Sequence, residues 1–380
     1  MTQRPSLRRL RSKLNKVAIL LVAITLFAAC SAPPTPTSKE LNLYTFAAYV
    51  PDELVNGFEQ ASGIKVNLTT YANNEEMLAK LATNPTAYDL LIPTDYAVDI
   101  LIKRNGLLPL DLAKIPNYNN IERSFLSPYF DPGGATDGRR PAARNQKFSL
   151  PFQWGTTGIA YDASKVSEPI SSWADLWRAD LQGHLVVLDD SRELMGMALL
   201  ALGFDKNSTN PDQLAAARDK LATLAPGIVA YDSGEPEKYL LSGEAWAGVV
   251  FNGNAALAAQ ANPKITYVFP KEGAGIWFDN MVIPAQSPHA DAAIAFINYV
   301  LLPENSLLIT EKFPYSNPNQ AALAHLKETQ PARYQTYIDN PITNPPAEVL
   351  QAARPVKNVG EATSAIYQND WETVKKEVKK

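Results

Sequence analysis

The sequence predicts an α/β protein built on a parallel, doubly wound sheet. From Leu41 onward, short apolar stretches alternate with amphipathic stretches of helical spacing, and no repeat of fixed period stands out. Such strand–helix–strand alternation is typical of parallel sheets covered by helices. At 380 residues the chain is also long enough for two domains with separate cores.

The first 29 residues have the pattern of a secretory signal peptide. Six basic residues precede an apolar run at 17–29, which is too short to span a bilayer comfortably. A retained membrane anchor is the alternative. The run ends at Cys30, the only cysteine, so a disulfide within the monomer is impossible. Residues 26–30, LFAAC, resemble a bacterial lipobox, which implies cleavage before Cys30 and lipidation of its sulfur. The proline-rich residues 30–39 predict an extended tether.

The elements follow in order from residue 41. LNLYTF (41–46) predicts a strand, and the segment 51–63 predicts a helix with Pro51 in its first turn and Gly63 just past its end. A strand at 64–71, a helix at 73–84 and a strand at 88–93 come next. Further strands are expected at 158–162, 184–189, 247–252, 265–269 and 281–285, with helices between them.

Composition and motifs argue against several functional classes. Six of the 35 Lys and Arg residues but none of the 39 Asp and Glu residues lie in residues 1–29, so the remainder carries a formal charge of −10. Such a body is an unsuitable partner for nucleic acid. The three histidines have no metal-ligand spacing, and neither a phosphate-binding loop nor a nucleophile elbow occurs. We therefore expect no metal, no cofactor and no enzymatic activity.

Acidic and aromatic residues cluster where the predicted strands end. In VVLDDSRELMG (186–196), Asp190 and Glu193 follow an apolar strand in the D-x-x-E form of a helix start. They could cap that helix or hold a cationic ligand, and local sequence favours capping. Carboxylates and ring faces both attract alkylammonium groups. The candidate rings, each with core packing as its alternative, are Phe46, Tyr49, Tyr96, Phe251, Trp277 and Tyr315.

The chain resembles the spermidine/putrescine-binding proteins of bacterial polyamine ABC transporters, from about Leu41 to Tyr367. The stretches that carry the resemblance are YVPDELVNGFEQASGIKV, NNEEMLAKL, YDLLIPTDYAVD, LPFQWGTTGIAYD, SSWADLW, VVLDDSREL, VFPKEGAGIWFDNMVIP and PYSNPNQAA. It implies a periplasmic-binding-protein fold: two α/β lobes, each a sheet flanked by helices, joined by crossover strands around a ligand cleft. Lobe 1 would comprise residues 40–148 and 279–314, and lobe 2 residues 149–278 and 315–380.

The resemblance also implies site residues. Asp190 and Glu193 match the family's acidic pair, Asp279 a further ammonium-binding aspartate, and Trp277 the tryptophan that packs on the alkyl chain. The other predicted ligand-binding residues are Tyr49, Thr94, Tyr96, Phe46, Phe251, Tyr315 and Asp95. Ala47, Ala48 and Val356 replace polar residues of the family, so the preferred polyamine is open. Residues 131–148 look like a longer surface loop than is usual.

These observations predict a lipid-anchored, extracytoplasmic, monomeric protein that delivers a linear polyamine to an ABC permease and touches the membrane only through its lipid. Three alternatives stay open. The scaffold could bind another cationic amine or a basic amino acid, it could sense polyamines without transport, or it could use an aspartate in catalysis.

Overall fold

The structure is a computed structural model that describes residues 36–132 and 147–378. The predicted signal peptide, Cys30 and most of the tether lie outside these residues. So does most of the predicted long loop, from 133 to 146. These features therefore stay predictions.

Within the described residues the strands form one sheet of ten strands, in the order β2-β1-β3-β9-β4-β7-β5-β6, with β10 beside β9 and β8 beside β4. The strands are β1 (Glu40–Phe46), β2 (Lys65–Tyr71), β3 (Leu90–Leu91), β4 (Ser149–Asp162), β5 (Leu185–Val187), β6 (Ile228–Tyr231), β7 (Ala247–Phe251), β8 (Ile265–Val268), β9 (Gly275–Val282) and β10 (Arg354–Pro355).

The first seven α-helices of the described residues are α1 (Asp52–Ser62), α2 (Asn74–Thr83), α3 (Asp95–Lys103), α4 (Ser191–Ala201), α5 (Pro211–Leu224), α6 (Glu237–Ser242) and α7 (Asn252–Ala261). They are followed by α8 (Ala290–Val300), α9 (Pro303–Lys312), α10 (Gln320–Thr329), α11 (Pro331–Asp339), α12 (Ala347–Ala352) and α13 (Glu361–Val378). Short 3-10 turns connect several of them.

Local sequence accounts for the ends of the first helix. Helix α1 begins after Pro51, whose fixed φ suits the entry to a helix. It ends at Gly63, which has a φ of 68° and donates its N–H to the Glu59 carbonyl at 2.9 Å. Glycine adopts this left-handed conformation without a Cβ clash, so the predicted helix stop is confirmed.

The predicted parallel pairing of strands is found in only part of the sheet. Strand β1 pairs in parallel with β2 and β3, and β5 pairs in parallel with β6 and β7. Strand β4, however, runs antiparallel to β7, β8 and β9. Its 14 residues reach from β9 in one half of the sheet to β7 in the other. Only its last five residues, GIAYD, were predicted as a strand, because the buried polar residues before them hide the pattern.

Strand β9 also begins earlier than predicted. The expected strand at 281–285 corresponds to only the last two residues of β9, which starts at Gly275. Trp277 and Asp279 are therefore inside the strand and not in a loop that leads to it. Pairing with β4 on one edge supplies the backbone hydrogen bonds that hold these residues extended.

Buried apolar side chains form separate cores in the two lobes. One core packs β1 and α1 against α8, with Leu54 and Phe296 fully enclosed. Another packs β5 and α4 against α13 and includes Trp371. The predicted fold class of two lobes joined by crossover strands is confirmed, whereas the exact lobe boundaries stay a prediction. Among the described residues no single helix is long and apolar enough to cross a bilayer, although α8 and α9, bent by 80°, reach that length together.

Candidate functional site

A cavity of about 530 Å³ lies where β1, β3, β5, β6 and β7 end. In α/β folds the loops at these strand ends converge on one crevice. The structure brings all of the ligand-binding residues predicted from sequence to its wall: Phe46, Tyr49, Thr94, Asp95, Tyr96, Asp190, Glu193, Phe251, Trp277, Asp279 and Tyr315. Their individual contacts with a ligand stay predictions.

Asp279 places a buried carboxyl group in the wall of the cavity. The residue is 3 % exposed and lies opposite Gln153 of β4. The Tyr49 hydroxyl donates to Oδ2, whereas Oδ1 is buried with no hydrogen-bond partner among the described residues. Burial raises the pKa of Asp279 well above its ordinary value, and the Tyr49 hydrogen bond opposes that rise. The free oxygen is suited to a hydrogen-bonded cation.

Aromatic rings enclose the space around this carboxyl group. The ring of Trp277 lies 5.3 Å from that of Tyr315 and 5.6 Å from that of Phe251, with interplanar angles of 73° and 80°. Phe46 and Tyr49 are 5.6 Å apart in a similar edge-to-face arrangement. The rings offer an apolar lining for a methylene chain, and a cation over a ring face gains roughly 0.5–2 kcal/mol.

Asp190 both caps a helix and lines the cavity. Its Oδ1 accepts from the backbone N–H groups of Arg192 at 2.9 Å and Glu193 at 3.0 Å, which confirms the predicted cap on α4. Burial, and then the nearby carboxyl groups of Glu75 and Glu193, raise the pKa of Asp190 to about 7. A cation in the cavity would reverse that shift.

Glu193 does not behave as the predicted second half of a capping box. Its Oε2 accepts from Lys206 Nζ at 3.0 Å, and the two side chains are only 7 % and 3 % exposed. A buried ammonium requires an anionic partner, and Glu193 supplies it. Sequence reasoning missed Lys206, because it follows α4 in a loop and carries no local motif.

Thr94, Asp95 and Tyr96 form the start of α3 at the cavity wall. The Thr94 hydroxyl accepts from the Asn74 side chain. Asp95 accepts from the backbone N–H of Tyr96 at 2.8 Å and from the Tyr129 hydroxyl at 3.0 Å. Burial raises the pKa of Asp95 to about 7, and these hydrogen bonds limit the rise. Both of its oxygens are therefore already occupied by the protein.

A further acidic residue of the cavity, Glu237, was missed. Its Oε2 accepts from Asn254 Nδ2 at 2.8 Å, and Asn254 Oδ1 accepts from the Tyr315 hydroxyl at 3.2 Å. Burial raises the pKa of Glu237, and the charges of Glu235 and Asp232 add to that rise. The available signal was the acidic segment DSGEPE directly after β6, another strand end.

The residues that depart from the family pattern also line the cavity. Ala47, Ala48 and Val356 contribute methyl and isopropyl groups to its wall. Ala48 adopts a φ of 50°, in the left-handed region that non-glycine residues rarely occupy. This part of the wall therefore offers no side-chain polar group to a ligand.

Comparisons with known proteins agree with this architecture. The family model described as "Bacterial extracellular solute-binding protein" matches residues 53–341. The chain is 34% identical to the spermidine/putrescine-binding periplasmic protein of Escherichia coli over 94% of this chain and 97% of that one. It is 29% identical to a putrescine/agmatine-binding protein of Pseudomonas aeruginosa over 94% and 96% of the two chains.

Solved structures show the same relationship. A putative spermidine/putrescine ABC transporter protein from Listeria monocytogenes has a TM-score of 0.80 at 32% identity and covers 89% of this chain and 99% of its own. The substrate-binding protein of a spermidine/putrescine ABC transporter from Streptococcus pneumoniae has a TM-score of 0.68 at 32% identity, over 90% and 100% of the two chains. This chain belongs to the bacterial extracellular solute-binding protein family.

Proposed function

We propose that the chain captures a linear polyamine in the cavity described above and presents it to an ABC importer. The observation that carries this proposal is a pair of carboxyl groups in the cavity wall, on the buried Asp279 and the partly buried Asp190, set among aromatic rings. Buried carboxylates are unfavourable unless a cation compensates them. The names of the Escherichia coli and Listeria relatives support the same ligand class.

Ligand recognition then depends on spacing. Ammonium groups bind Asp190 and Asp279, and the methylene segment between them packs against Trp277 and the neighbouring rings. The unpartnered Oδ1 of Asp279 accepts one N–H of the ligand. The rings exclude water, which strengthens the charged hydrogen bonds.

Closure of the two lobes completes the site. The Arg192 guanidinium, next to the cap of α4, lies 5.4 Å from the centre of the Tyr96 ring and 4.5 Å from that of Tyr367. In the predicted lobe division Tyr96 belongs to lobe 1 and Arg192 to lobe 2, so we expect this contact to form only when the lobes approach. Hinge closure around a bridging ligand is a common property of such folds, and the permease would recognise the closed form.

The family is extracellular, so the chain functions outside the cytoplasm. We propose further that Cys30 carries a lipid that holds the protein at a membrane, that the body is a monomer, and that it releases its ligand chemically unchanged. Radiolabelled palmitate incorporation by wild type and by Cys30→Ala tests the anchor. We expect the variant to lose the label, and equal labelling of the two proteins would contradict lipidation of Cys30.

Titration calorimetry tests the ligand class. Wild-type protein is titrated with putrescine, cadaverine, spermidine and spermine, with lysine and a monoamine as comparison ligands. We expect at least one polyamine to bind at least tenfold more tightly than the comparison ligands. Failure of all four polyamines to bind at millimolar concentration would refute the proposal. Recovery of a modified ligand would instead favour an enzyme.

A further inference from the structure

The ammonium group of Lys206 is paired with one of the carboxylates of the proposed polyamine site. Its Nζ lies 3.0 Å from Oε2 of Glu193, a residue of the cavity wall, and both side chains are buried. Lys206 itself is behind that wall. One carboxylate of the cavity is thus neutralised before any ligand arrives.

Two glycines make room for this lysine. A Cβ at Gly196, inside α4, would be 2.6 Å from Lys206 Cγ, and a Cβ at Gly275, in β9, would be 2.8 Å from Lys206 Nζ. Glycine is unfavourable in the interior of a helix, so Gly196 is costly without a reason of this kind. The Lys206 backbone is held as well, because its carbonyl accepts from the Tyr367 hydroxyl at 3.1 Å.

The other acidic residues of the cavity differ in whether the protein already supplies partners for their carboxyl groups. Asp95 is buried but already accepts from Tyr129 and from its own helix. Asp189 accepts from Trp371 at 2.9 Å and from Lys375 at 2.7 Å. Glu237 is partly buried, as Asp190 is, but one of its oxygens accepts from the Asn254 side chain. Asp279 is buried and Asp190 is partly buried, and neither carboxyl group is paired with a protein cation in the described residues.

We propose that Lys206 is a specificity-determining residue that occupies the place of a ligand ammonium at Glu193, so that the cavity selects diamines over triamines. The inference rests on the proposed function. A third ammonium in a closed cavity would need its own carboxylate, and beside Glu193 it would meet the charge of Lys206. Diamines need only Asp190 and Asp279.

The test compares the affinities for spermidine and putrescine, measured by calorimetry. Wild type should bind putrescine at least tenfold more tightly than spermidine. In Lys206→Met the freed Glu193 should raise the spermidine-to-putrescine affinity ratio at least tenfold. Adding Glu193→Gln to that variant should return the ratio to within about threefold of wild type. Lys114→Met, which removes an exposed lysine paired with Asp111, is the matched control and should leave the ratio unchanged.

Each outcome decides the matter. If wild type binds no polyamine, both this inference and the proposed function fail. If wild type binds polyamines but prefers spermidine, or if the ratio in folded Lys206→Met stays within twofold of wild type, only this inference fails. If circular dichroism shows that Lys206→Met does not fold, the affinity ratio is measured in the double variant Lys206→Met, Glu193→Gln. A tenfold fall of its ratio below wild type would show that Glu193 already serves a third ligand ammonium and would overturn the inference.

Discussion

The carboxyl group of Asp190 both caps α4 and lines the cavity, and two substitutions distinguish these roles. Asn at this position keeps an oxygen that can cap α4 but loses the charge, whereas Ala loses both. We expect Asp190→Asn to weaken polyamine binding at least tenfold, because a charge-assisted hydrogen bond is lost, while the cap of α4 is kept. Asp190→Ala should lower the free energy of unfolding by about 1 kcal/mol more. Calorimetry measures the ligand affinity of the variants, and thermal melts measure their stability. Equal ligand affinity in the Asp190→Asn variant and the wild type would contradict the binding role of Asp190.

The raised pKa of Asp190 makes binding depend on pH. With a pKa of about 7 the free carboxyl group is protonated below neutrality, whereas an ammonium ligand binds the ionised form. Binding should therefore release a proton, and affinity should rise from about pH 5.5 to about pH 8, by up to roughly tenfold per pH unit below pH 7. Calorimetry in buffers of different ionisation enthalpy measures the released protons. A pH-independent affinity, or a slope unaltered in Asp190→Asn, would count against this assignment.

At the scale of elements, the pairing of β4 with β9 positions the aromatic wall. Gly155 of β4 is opposite Trp277, and a Cβ there would clash with Asn252 Oδ1 and would be 2.6 Å from Trp277 Cζ2. Gly155→Ala should displace the indole, lower the free energy of unfolding by about 1–3 kcal/mol and weaken ligand binding.

Chemical denaturation and ligand titration measure these two effects. Gly227→Ala is the matched control, because a Cβ there meets the flexible end of the Gln182 side chain at 3.3 Å and Leu185 Cδ1 at an ordinary contact distance of 3.5 Å. A Gly155→Ala protein as stable as the control and with wild-type affinity would show that the close approach to Trp277 has no role.

At the scale of the whole molecule, the buried acids link stability to pH. The pKa values of Asp190 and Asp95 are raised to about 7 from an ordinary value of 3.8, so the unfolded chain binds fewer protons between these values. Their stabilising contribution is complete below about pH 4 and is lost as the pH rises through about 7. Ligand-free protein should therefore melt roughly 5 °C or more lower at about pH 8 than at about pH 5.5.

Polyamine should reduce or invert that difference, because it stabilises the ionised carboxylates. Differential scanning calorimetry at both pH values, with and without putrescine, measures it. Asp190→Asn combined with Asp95→Asn is the control and should reduce the ligand-free dependence, to which the raised pKa of Asp279 also contributes. A ligand-free melting temperature that rises over this pH range would refute the link.

The cavity lining was largely predictable from particular residues. Strand ends converge in α/β folds, so acids and rings after apolar strands, such as Asp190 and Phe251, were expected to meet. The cap on α4 was predictable because an N-cap depends on residues within one helical turn. Glu237 escaped prediction because its hydrogen-bond partner, Asn254, comes from a different helix.

The sequence by itself determined the fold class, most strands and helices, and the acids and rings available to a cation, since these depend on periodicity and on neighbours along the chain. Only the tertiary structure decided the antiparallel course of β4, the place of Asp279 inside β9 and the pairing of Glu193 with Lys206. Strand direction depends on partners from distant segments. The protonation and pairing of a buried carboxyl group depend on the groups that contact it in the folded protein. These groups come from distant segments and cannot be identified from the neighbouring sequence.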